Sequence, residues 1–158
     1  MGFNVVQEGH AVNVLPPQDL SGGPVTGDRF SMKNHSHVSI VLTLGANAAG
    51  AGVGVTVKEC TLASGGTATA RTFKYAAETT AAGDTLGALT DATTAGFDLH
   101  ASNANLTYVI ELDAEDLSEG YPWIELNIED AASTTLGSAV AILSGGRYQV
   151  DQGATAIA

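Results

Sequence analysis

Basic residues are scarce in this chain: six Lys plus Arg stand against 17 Asp plus Glu over 158 residues, for a formal net charge of -11. Neutralising phosphates needs a cationic surface and this one repels polyanions, so no nucleic-acid partner is expected. Cysteine is nearly missing too. With Cys60 alone there is no intrachain disulfide and no multi-cysteine metal site, so stability has to come from packing. Aromatic residues make up only 6%, which points to a thin core of Val, Ile and Leu. No stretch approaches the ~18 apolar residues of a membrane helix. The opening "MGFNVVQEGHAVNVLPP" has no basic leader before an apolar run, so a soluble product of the cytoplasm with no membrane partner is expected. It begins like a myristoylation signal, but Val6 stands where that signal requires Ser or Thr.

What the chain does have is apolar alternation. At 44% hydrophobic it is too apolar for disorder, and its length suits one domain. In "HVSIVLTLG", Val38, Ile40, Leu42 and Leu44 fall on one face of a strand; in "VGVTVKE", Val53, Val55 and Val57 do the same. The glycine-alanine stretch between them reads as a turn, so the two are expected to form a hairpin. Further strands are expected at "RTFKY" (Phe73 and Tyr75 inward), "GFDLHA" (Phe97, Leu99), "LTYVIELD" (Tyr108, Ile110, Leu112), "YPWIELNIE" (Ile124, Leu126, Ile128) and "LGSAVAILS" (Val140 and Ile142 inward). With early strands near "HAVNVL" and "RFSMK", the count is eight or nine. Short strands at this spacing indicate an all-β fold, an antiparallel β-sandwich whose eight-stranded case is the jelly roll. "DAEDLSEG" is the one helical segment and is only a turn or two long. Three organisational units are expected: an extended N-terminal arm over 1–28, rich in Pro and Gly; the sandwich over 29–150; and a tail over 151–158. On this reading, deleting residues 2–20 leaves the sheet intact.

Charge is unevenly distributed. From Ala76 to Gly146 there are twelve acids and no Lys or Arg, while Arg29, Lys33, Lys58, Arg71 and Lys74 all come earlier. In a sandwich, distant strands interleave, so folding is expected to blur this polarity.

The candidate chemical sites are weak. His35 and His37, two apart in "NHSH", share a strand face, but no carboxylate or cysteine adjoins them, so no metal is expected. His10 and His100 are isolated. "ELDAEDLSEG" lacks the spacing of a calcium loop. Cys60 in "VKECTLA" reads as a small buried hydrophobe, no nucleophile motif is present, and neither a catalytic residue nor a cofactor is expected. "NLT" at Asn105 matches a glycosylation acceptor, which has meaning only on a secretory route. The protein-interface candidates are Val14, Leu15, Pro16 and Pro17 in the arm, and Trp123, whose place in the alternation turns it outward.

Taken together, "VLPPQDLSGGPVTGDRFSMKNHSHVSIVLTLG", "VTVKECT", "TARTFKY", "NLTYVIELDAEDL" and "AVAILSGGRYQ" resemble the decoration or cement proteins of tailed bacteriophage heads, over about residues 12 to 149. The resemblance implies a jelly-roll β-sandwich without catalytic activity, located on the capsid surface of the virion. It also implies a homo-oligomer, a trimer in this class, that clamps the major capsid protein. The alternatives are a tail or neck component and a glycan-binding or receptor-binding module, the latter expected to carry more exposed aromatics than one Trp and four Tyr.

Overall fold

The computed structural model describes residues 4–48, 52–100, 104–146 and 156–157. Alternating apolar faces need a partner surface, and here two six-stranded antiparallel sheets supply it to each other as a sandwich. In spatial order the first sheet is β1 (His10–Asp19), β12 (Thr135–Gly146), β4 (His35–Asn47), β10 (Thr107–Asp113), β7 (Phe73–Ala77) and β8 (Thr90–Ala92). The second is β2 (Val25–Thr26), β11 (Trp123–Ile128), β5 (Val53–Cys60) and β6 (Ala68–Arg71), with β3 (Phe30–Ser31) also on β11 and β9 (Phe97–Leu99) also on β5. Helical structure among the described residues is limited to α1 (Val5–Glu8) and a 3-10 turn (Ala114–Asp116) inside "DAEDLSEG".

The core is built from the alternating faces. Val38, Ile40, Leu42 and Leu44 of β4 are buried against Val53, Val55 and Val57 of β5 and Ile124, Leu126 and Ile128 of β11. On the β7 side, Phe97 of the second sheet stacks on Tyr75 of the first, with ring centroids 4.0 Å apart, and meets Phe73 edge-on at 6.1 Å. On the opposite side, successive amides tie the layers together. Gly27 N–H donates to Leu126 O and Asp28 N–H donates to Val14 O, each at 2.8 Å.

Three expectations need correction. On β12 the inward residues are Ala139, Ala141 and Leu143, while Val140 is 39% exposed. Directly opposed residues of an antiparallel pair share a face, and β4 sets the register: Leu143 opposes Val38, Ala141 opposes Ile40 and Ala139 opposes Leu42. The inward side is small because side chains such as Leu20 and Leu44 already fill the space. A Cβ on Gly137 would lie 2.7 Å from Leu20 Cδ1.

The expected hairpin of β4 and β5 does not form. β4 pairs with β12 and β10 in the first sheet, β5 with β11, β6 and β9 in the second, so the chain crosses from one layer to the other between them. Their apolar faces meet across the core rather than lying side by side.

The extended segment over residues 1–28 is not a separate arm from His10 onward. β1 is the edge strand of the first sheet, paired with β12 from His10↔Leu143 to Asp19↔Leu136, and Val12, Val14, Leu15 and Leu20 belong to the core. Of the expected tail, only Ala156 and Ile157 are described residues. There Ser31 N–H donates to Ala156 O at 2.8 Å and Phe30 bridges Ile157.

Candidate functional site

The β1–β12 edge carries the most evident surface for a partner. The pairing register shifts between Asn13 and Leu15 and again between Leu15 and Gln18, so Pro16 and Pro17 occupy a bulge, both exposed. Proline has no N–H to offer another strand, and a bulged edge with Pro resists further pairing. Beside the bulge, Leu136 is 45% and Val140 39% exposed on the outer face of β12. Pro17, Leu136, Ser138 and Thr43 line a shallow groove of about 460 Å³. Val14 and Leu15 are not on this surface: at 1% and 2% exposed, both side chains are committed to the core, because the register shift between Asn13 and Leu15 breaks the alternation and turns two adjacent residues inward.

Trp123 lies elsewhere. It is half-buried on β11 in the second sheet, opposite Ser31 on one side and Cys60 on the other, so the five interface candidates do not converge. Cys60 is buried and free, and burial together with the Glu125 charge pushes its thiol pKa up, away from the reactive thiolate. Two residues along β11 from Trp123, the buried Glu125 accepts from Arg29 Nε at 2.6 Å and from Asn127 Nδ2 at 2.9 Å. Burial alone would raise the Glu125 carboxyl pKa, but these two donors hold it below the usual value. Arg29 Nη1 also donates to Leu62 O and Gly65 O, pinning the loop after β5 over this face.

The second constellation is one that sequence reasoning missed. On the outer face of the first sheet, β10 places Asp113 directly opposite His37 and Glu111 opposite Ser39. His37 Nδ1 lies 2.7 Å from Asp113 Oδ1 and its Nε2 lies 2.8 Å from Glu111 Oε2, while Ser39 Oγ donates to the same Glu111 oxygen at 2.7 Å. Ionised carboxylates only accept, so satisfying both contacts at once takes a ring protonated on both nitrogens, an imidazolium. Partial burial opposes that charge, but the two carboxylates outweigh it and raise the His37 pKa above the ordinary histidine value.

Ser39, His37 and Asp113 are the residue types of a nucleophilic relay, and Ser39 Oγ is 3.4 Å from His37 Nε2. Glu111 occupies that nitrogen, however, and takes the serine proton's hydrogen bond, so His37 has no bare nitrogen with which to deprotonate Ser39. Chemically, the cluster is an ion-pair clasp between β4 and β10. It borders a cleft of about 820 Å³ that also includes Arg71, Lys74, Leu89 and Asp116.

The remaining sequence candidates are dispersed. His35 has its pKa lowered by burial and by His10, whose ring centroid is 6.2 Å away, and its buried Nδ1 has no hydrogen-bond partner. Asn105 is exposed in a left-handed turn (φ 55°), its N–H donating to Gly45 O. Among the described residues, no group of three or more His, Cys, Asp or Glu side chains is arranged to hold a metal ion, and no helix is long and apolar enough to cross a membrane.

Folding also undoes the charge segregation read along the chain. Arg29 meets Glu125 and Lys74 approaches Asp91 at 4.0 Å, while Lys58 opposes Glu125 across β5 and β11. The acids of residues 76–130 are shared between both sheets rather than forming one face. No protein-family profile, curated protein or solved structure matches the chain.

Proposed function

We propose that this β-sandwich is a non-catalytic structural protein of a phage virion, which decorates the outer surface of the icosahedral head and stabilises it by bridging copies of the major capsid protein. The observation that carries the reading is the β1–β12 edge, which exposes Pro16, Pro17, Leu136 and Val140 and holds a shallow groove lined by Pro17 and Leu136, suited to lying against another protein. A stable interface buries roughly 1,600 Å² in total, and a homo-oligomer, a trimer, would add the edges of its copies toward that area. Many copies on one shell convert modest contacts into resistance to rupture.

Two further features support the reading. The facing orders β1-β12-β4-β10 and β2-β11-β5-β6 are compatible with a jelly-roll winding in which β3, β7, β8 and β9 are additions. The sequence segments resembling phage decoration proteins fall largely on these framework strands.

Co-sedimentation with undecorated heads tests the proposal. The wild-type chain should pellet with heads, and Leu136→Asp with Val140→Asp should stay in solution while keeping the circular-dichroism spectrum of the parent. Leu62→Asp, an exposed position on the loop over the second sheet, should bind as the wild type does. Wild-type protein that never pellets with heads sinks the proposal.

A further inference from the structure

The clasp at His37 has a property that the docking proposal does not use. It joins three pieces of structure: β4 through His37 and Ser39, β10 through Glu111 and Asp113, and the 3-10 turn that follows Asp113 without a break. Asp113 is the last residue of β10, so its bond to His37 is the final side-chain tie before the chain turns away. On the far side of that turn, Arg71 Nη2 donates to Asp116 O. His37, Asp113, Asp116 and Arg71 all border the cleft of about 820 Å³, so the turn forms part of its wall.

We propose that His37 works as a pH-sensitive latch, fastening the end of β10 and the following turn to β4 while both ring nitrogens carry protons and releasing them when one proton is lost to solvent.

The chemistry follows from hydrogen-bond roles. A neutral imidazole has one donor and one acceptor nitrogen. Its bare nitrogen would then face a carboxylate oxygen less than 3 Å away, lone pair against lone pair, and two carboxylates on neighbouring positions of β10 would have lost their shared cation. Glu111 keeps the Ser39 hydroxyl, whereas Asp113 keeps nothing comparable from β4, so release begins at Asp113.

The other charged groups around the ring do not substitute for it. Lys74 on β7 opposes Glu111 but its ammonium lies 4.0 Å from Asp91 of β8. Arg71 is engaged with Asp116 O and the buried Glu59, Glu115 and Asp116 add negative charge on the turn, His35 is the only other titratable group close by on β4, and β12 presents Ser144 opposite His37. The direction is fixed by linkage. A histidine whose pKa is raised in the folded state contributes fully below the ordinary histidine value, and its contribution is lost as pH rises through the folded value. The latch is therefore closed in mildly acid solution and opens on the alkaline side.

Two measurements on the full chain test this. Nitrogen-15 spectra of the histidine ring should show His37 with both nitrogens protonated at pH 6, and titrating above the ordinary histidine value. Hydrogen exchange of residues 110–117, corrected for intrinsic base catalysis, should show the opening constant rising about tenfold per pH unit between the ordinary and folded values. His37→Arg, which keeps its charge throughout, should remove that dependence, and Ser39→Ala should retain it. A wild-type His37 with a single protonated nitrogen at pH 6, or the same pH slope in wild type and His37→Arg, overturns the latch. If the arginine variant does not fold, the ring spectrum of the wild type decides.

Discussion

Asp113 is the directly opposed cross-strand neighbour of His37, its Oδ1 2.7 Å from Nδ1, although 76 residues separate them in sequence. The His37 side chain is 35% exposed, so solvent screens the pair and its contribution is modest. His37→Ala is expected to cost about 1 kcal/mol at pH 6, because it removes two charge-assisted hydrogen bonds and leaves Glu111 and Asp113 facing one another. The raised folded pKa means that the wild type loses this advantage as pH rises, so the two proteins should converge toward pH 9. Urea titrations at the two pH values check it, and a gap that widens with pH would contradict it.

Arg29 and Glu125 form a more deeply buried pair, with side chains 15% and 9% exposed. Arg29→Ala strands a buried carboxylate and frees the loop that Arg29 ties down, and should cost about 3 kcal/mol. Combining Arg29→Met with Glu125→Gln should cost markedly less than the sum of the single changes, since each single change strands a buried charge and the double variant strands none. Glu125 has a depressed folded pKa, so the pair's contribution is present above the ordinary carboxylate value and lost as pH falls through the folded one. The penalty for Arg29→Ala should accordingly shrink in acid.

The inward face of β12 makes the opposite prediction from the one its bulkier residues suggest. Ala141→Leu, into a fully buried position against Ile40, should destabilise by about 1–3 kcal/mol, and Gly137→Ala should do likewise because its Cβ meets Leu20. Val140→Ser, on the outer face, should stay within about 0.5 kcal/mol. Thermal melts of the three variants suffice. Equal losses at 140 and 141 would mean that the register is otherwise.

Removing residues 2–20 should unfold the protein rather than merely trim it. The deletion takes Val12, Val14, Leu15 and Leu20 out of the core, roughly 6–12 kcal/mol of buried side chain at about 1.5–3 kcal/mol each, comparable with the whole stability of a domain. Emission from Trp123, the single tryptophan, and circular dichroism should both report the loss. A truncated chain with native spectra would show that β1 is dispensable.

Much of the sandwich is legible because alternation is a local property: Val38, Ile40, Leu42 and Leu44 declare their face without reference to any other strand. Pairing is not local, and the misreadings all come from it. Val140 and Ala141 are both apolar, and only β4 decides which of them turns inward. β4 and β5 follow one another in sequence and have matching apolar faces, which serves a crossing between layers as well as it serves a hairpin. His37 and Ser39, Glu111 and Asp113 are each visible as polar residues on a strand's outer face; that the two faces are one is a fact of sheet order. Proline-rich composition near Pro16 reads as an arm until Leu15 and Val14 are seen to have core positions waiting for them.

The antiparallel pairing of β1 with β12 has a mechanical consequence. His10 opposes Leu143 and Asp19 opposes Leu136, so the segment entering β1 and the segment leaving β12 emerge at the same end of the pair. Bonds in an antiparallel ladder run across the strands, so a pull that separates those two segments loads them one after another, as in a zipper, and parts them at low force. A shear along the strands loads many of the same bonds at once. Under tension the β1–β12 pair is weak when peeled apart from the end where those segments emerge and strong when its two strands are slid past one another.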